Sequence, residues 1–105
     1  MPVYLTHFKC EPSAWPTDHE EQVKIWGTMV KDAEQMVKDE SAVKFSGWIN
    51  NTEGYALVEA ESKTAVIPLC AQFWPYFHNE IMELIPTSEA GPAILEGTSK
   101  GWQAG

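Results

Sequence analysis

Arginine is absent: all seven basic residues are lysines, set against fifteen acidic residues, and the formal charge is −8. Without a guanidinium fork the chain lacks the usual bidentate partner for phosphate or carboxylate. Without clustered cations it lacks the electrostatic footprint of a nucleic-acid-binding protein, so no nucleic-acid partner is expected. No apolar run approaches the roughly 18 residues of a membrane span. Met1-Pro2-Val3-Tyr4 has neither the basic region nor the apolar stretch of an export signal. The expectation is a cytoplasmic protein with no membrane partner. Cysteine is scarce too. Cys10 and Cys70 belong to no CxxC pair, and such thiols in an intracellular chain are expected to stay reduced and pack as small hydrophobes. With three scattered histidines they give no metal-spaced set, so no metal is expected. GxGxxG, GxxxxGK[ST] and GxSxG are all missing. Gly97-Thr98-Ser99-Lys100-Gly101 has the wrong spacing for a phosphate loop. Nothing in the sequence asks for a cofactor.

What is present is an ordinary globular composition, 44% hydrophobic and 21% charged over 105 residues. A chain of this size buries about two thirds of its surface on folding, enough for one core. Val3 to Phe8, rich in β-branched and aromatic residues, reads as a strand. Thr17 then offers an N-cap with Glu20 completing a capping box. Val23, Trp26, Met29, Val30, Ala33, Met36 and Val37 follow at three- and four-residue steps, an amphipathic helix ending near Lys38. Val43 to Asn50 and Tyr55 to Ala60 read as a hairpin around a turn at Asn51-Thr52-Glu53-Gly54. A second helix starts near Ala65 and carries Val66, Leu69, Cys70, Phe73 and Trp74, with Pro75 as its stop. Asn79 to Ile85 is a fourth strand. Residues 87–105, rich in Gly, Ser and Thr around Ala93-Ile94-Leu95 and Trp102, read as an arm appended to a domain over residues 1–86.

The order βαββαβ specifies an α+β, ferredoxin-like fold: a four-stranded antiparallel sheet with two helices on one face. Both parities of the strands are apolar, Val3 and Leu5 against Tyr4 and Phe8, Tyr55 and Leu57 against Val58 and Ala60. Two helices cover only one face. The other is too apolar to stand in water, so a homodimer formed sheet to sheet is expected.

With VYLTHF at its start, GYALVE in the hairpin and the late run WPYFHNEIMELIP, the chain resembles the dimeric α/β-barrel superfamily over roughly Met1 to Pro86. Within it, the chain is most similar to a small microbial family of unassigned function. The resemblance implies two ferredoxin-like sheets closing into a barrel across a two-fold axis, with small hydrophobic ligands between sheet and helices. Some members are cofactor-independent monooxygenases, haem-degrading enzymes or isomerases. No diagnostic catalytic set is matched, so no catalytic residue is assigned.

The candidate ligand-binding residues are His7, Trp26, Tyr55, Glu59 and Trp74. His7 shares the parity of Val3 and Leu5 and is either a general base facing a pocket or a hydrogen-bonded core or interface histidine. It is expected to face the helices in preference to Thr6, because an imidazole offers proton transfer. Glu59 either projects into a cavity or sits at the wet end of its strand. Trp26 and Trp74, on the helix stripes, should face the sheet, as core filling or, with Tyr55, as walls of an aromatic pocket. Glu83 reads as an inward charge guarding an edge strand. His78 and Glu80 are two metal ligands without a third. Two function classes follow: a binding module or enzyme for a small hydrophobic or aromatic molecule, the enzyme of cofactor-independent monooxygenase or isomerase type; and a non-enzymatic dimerisation or regulatory module. A tightly packed helix–sheet interface favours the second; a cavity of a few hundred Å³ containing His7 or Glu59 favours the first.

Overall fold

A computed structural model describes residues 1–39 and 42–102. The elements are β1 (Val3–Cys10), a 3-10 turn (Pro12–Ala14), α1 (His19–Lys38), β2 (Val43–Trp48), β3 (Glu53–Glu59), α2 (Lys63–Ala71), β4 (Phe77–Leu84) and α3 (Thr87–Lys100). The strands form one sheet in the order β2-β3-β1-β4, every neighbouring pair antiparallel. This is the ferredoxin-like α+β fold. No helix among the described residues is long and apolar enough to cross a membrane.

Local chemistry sets the boundaries. The cap of α1 is Asp18, whose carboxylate accepts from the Glu21 amide at 3.1 Å; the expected Thr17 lies one residue outside. A carboxylate at this position also meets the positive end of the helix dipole. Ser62 caps α2 in the same way, accepting from the Ala65 amide at 3.2 Å. The hairpin turns earlier than expected. Asn50 Oδ1 accepts from the Thr52 and Glu53 amides at 2.8 and 2.9 Å, an Asx turn that lets β3 begin at Glu53. Along β2 the register shifts between Val43 and Phe45, so Lys44 is the extra residue of a bulge. Val43 thereby shares the helix-facing side with Ser46 and Trp48 despite its odd number.

Tyr4, Val43, Val58, Ala60 and Val66 form the buried core, with Met36, Val37, Leu69, Cys70 and Ile81 packed around it. The Tyr4 hydroxyl reaches Glu83 at 3.5 Å, and its pKa is raised by burial and then by that carboxylate. Glu83 therefore lies on the helix side of edge strand β4. The apolar stripe of α1 is narrower than its sequence spacing suggests. Trp26, Met29, Ala33 and Met36 are half-buried, whereas Val23 and Val30 are exposed.

The opposite sheet face carries Val3, Leu5, Tyr55 and Leu57 with Phe45, Met82 and Leu84, and the last three are 61%, 39% and 41% exposed. Within the expected arm, Thr87–Lys100 is helical, and residues 103–105 lie outside the described residues. Among the described residues α3 makes no extended contact with the sheet or the other helices. The chain measures 60 × 36 × 22 Å with a radius of gyration of 17.9 Å, against about 13 Å for a compact domain of this length.

A candidate apolar cavity between helices and sheet

Across the middle of the sheet, three adjacent strands place a small residue at the same level. Ser46 pairs with Ala56, and Ala56 pairs with Thr6. Larger side chains flank this row: Val43, Val58 and Tyr4 on one side, Trp48 and Phe8 on the other. The small row is the floor of a cavity of about 80 Å³. Met29, Ala33 and Met36 of α1 and Leu69 and Cys70 of α2 roof it, with Phe73, Phe77 and Asn79 at its end. Helices resting on the tall flanking rows cannot also fill the low row between them.

The end towards the hairpin is closed by aromatic rings. Phe8 meets Trp48 edge-on at 4.8 Å, Trp48 lies 5.5 Å from Trp26, and Trp26 stacks on Trp15 at 4.9 Å. Phe77 packs against Trp26 at 5.5 Å, and the Trp15 indole donates to the Tyr76 carbonyl at 3.2 Å. Gly54 makes this possible. A Cβ there would collide with the Gly47 carbonyl oxygen and the Phe8 ring, so only glycine lets that ring lie flat on the sheet.

Every side chain lining the cavity is uncharged. Thr6 is 2% exposed, and among the described residues its hydroxyl reaches only the Ala56 carbonyl, at 3.5 Å. The Ser46 hydroxyl and the Asn79 amide make no side-chain hydrogen bond among the described residues. Polar capacity is therefore present at the wall and unused. Burial pushes the Cys70 thiol above the ordinary range, which keeps it protonated and a poor nucleophile. An engineered apolar cavity of about 150 Å³ holds benzene. This one admits a branched alkyl group or part of a ring, with the remainder in the mouth. A wider depression of about 510 Å³ lies outside it, between α1 and residues 72–76, but it is more open to solvent and is lined in part by the charged Lys24 and Asp32.

The structure does not bring the five sequence candidates together. His7, Tyr55 and Glu59 share the helix-free face, because Tyr4, Thr6 and Phe8 take the helix side. His7 therefore does not face the helices; Thr6 does. The two parities of β1 are similarly apolar, and the large Tyr4 and Phe8 rings settle which is packed. His7 stacks on Tyr55 with centroids 4.7 Å apart. Its buried Nε2 lies 3.3 Å from Glu53 Oε1 without the alignment of a hydrogen bond. Glu59 pairs with Val3 near the far end of that face. Trp26 belongs to the aromatic wall and not to the cavity lining. Trp74 is 67% exposed, because α2 ends at Ala71 and the stripe ends with it. His78 lies 3.6 Å from Glu11, and no group of three or more potential metal ligands occurs among the described residues.

Sequence reasoning missed Ser46 and Ala56, and weighed Thr6 but preferred His7 in its place. The signal was their smallness at one level, but it is visible only with the true hairpin register. No protein-family model matches the chain, and no curated protein matches it.

Proposed function

We propose that the protein binds a small uncharged apolar molecule between its helices and its sheet. The cavity over Ser46, Ala56 and Thr6 carries this reading; at about 80 Å³ it is smaller than the few hundred Å³ expected, and neither His7 nor Glu59 lines it. Its floor is small while its surroundings are large, its walls are adaptable methionines and aromatic rings, and Ser46 and Asn79 offer hydrogen bonds to one polar group. Among the described residues it holds no carboxylate, imidazole or ammonium group. Burying an unpaired charge there would cost several kcal/mol, so a carboxylate or ammonium form of the same ligand is rejected. With no acid or base at the cavity and Cys70 held as a thiol, the arrangement favours binding over turnover.

The test uses one ring with three charges. Phenol, benzoate and benzylammonium are titrated into the full chain, followed by tryptophan emission with Trp48→Phe as the control. Phenol should quench, and the two ions should bind at least ten times more weakly. Millimolar phenol that leaves the emission unchanged contradicts the reading.

A second observation supports an assembly. The exposed surface is 7541 Å², whereas about 5,900 Å² is expected of a compact monomer of this mass. Phe45, Leu57, Met82 and Leu84 sit within the surplus, on the helix-free face. A homodimer that pairs these faces, as in the dimeric α/β barrels the sequence resembles, would remove them from water. A cytoplasmic setting, with Cys10 and Cys70 reduced, fits this reading.

A further inference from the structure

The geometry points to α3 as an exchanged arm, which leaves its own subunit and packs on the second copy through Ile94, Leu95 and Trp102. This inference rests on the homodimer reading and adds an element to it. Fourteen helical residues containing Gly91, Pro92 and Gly97 are too few, and too poor in propensity, to hold a helix alone in water. Yet α3 ends in a formed cap, with Gly101 at φ 68° and its amide donating to Thr98 O at 3.1 Å. Such a helix requires packing, and its own subunit supplies little. Ile94, Leu95 and Trp102 are 66%, 68% and 89% exposed. Ile85, just past the end of β4 at the root of the helix, is 63% exposed.

Area and charge identify the occupant. The surplus surface is about 1,600 Å² per copy relative to a compact monomer. Covering it in a pair would bury about 3,200 Å², within the range of obligate homodimers. The helix carries Glu89 and Glu96 against the single Lys100. It therefore lacks the cationic face with which an amphipathic helix binds an anionic lipid surface.

Sedimentation equilibrium of the full chain and of its Ile94→Asp, Leu95→Asp double variant tests the inference. Both side chains are exposed in the single subunit, so its thermal unfolding as a monomer should be unchanged. The wild type should be a dimer at micromolar concentration, and the double variant should dissociate at least about a hundredfold more readily. Comparison with Trp102→Phe isolates the Trp102 emission, which should be shielded from acrylamide in the dimer and released on dilution. A wild-type monomer would overturn both the dimer and the arm. A dimer with unaltered affinity in the double variant, or with Trp102 freely quenched, would overturn the arm alone.

Discussion

Replacing Ala56 with valine puts the cavity to a quantitative test. The two added carbons extend from the floor into the empty space bounded by Met29, Met36 and Leu69. At about 0.8 kcal/mol for each buried methyl-sized group, filling contributes about 1.6 kcal/mol. Valine also suits a strand better than alanine does. Some of the gain is lost to imperfect fit, which leaves a net stabilisation of about 1 kcal/mol. For a chain of this size that raises the melting temperature by about 4–8 °C. Scanning calorimetry of both proteins measures the shift. The same variant should lose any rise in melting temperature that phenol gives the wild type. A loss of 1 kcal/mol or more would show an overpacked floor, and the cavity would then be too small to matter.

Two residues away on the same strand the opposite outcome is expected. Gly54→Ala should destabilise by about 1–3 kcal/mol in chemical denaturation, since its Cβ meets the Phe8 ring and the Gly47 carbonyl. Leu57→Lys places a charge at the centre of the helix-free face and should raise the dimer dissociation constant by at least about a hundredfold in light scattering. The Cys70 thiol is pushed up by burial, so its contribution is complete below the unfolded thiol pKa of about 8.5. That contribution is lost as pH rises through the higher folded value. Urea midpoints should therefore fall above about pH 8.5, and more shallowly in Cys70→Ala.

The fold was legible because its signals are local and repeated. The stripe from Trp26 to Met36 and the βαββαβ order needed no tertiary information. Which face of β1 meets the helices was not legible, because Val3 and Leu5 are as apolar as Tyr4 and Phe8. The hairpin register turned on one side chain. With the turn at residues 51–54, Asn50 would face Tyr55; the Asx turn of Asn50 instead sets Trp48 opposite Gly54. That odd shift, together with the bulge at Lys44, hid the row of small residues. Trp74 was misplaced because α2 stops at Ala71, four residues short of Pro75. The last segment reads as an arm because it is rich in Gly, Ser and Thr, and within its helix Ala90, Ala93, Ile94 and Gly97 keep helical spacing.

The most direct measurement of whether an apolar site exists between the helices and the sheet is a crystal pressurised with xenon, which enters dry cavities lined by hydrocarbon. Xenon density above Ala56, between Met36 and Leu69, and its disappearance in Ala56→Val, is the predicted result. A pressurised wild-type crystal without xenon at that position would contradict the account.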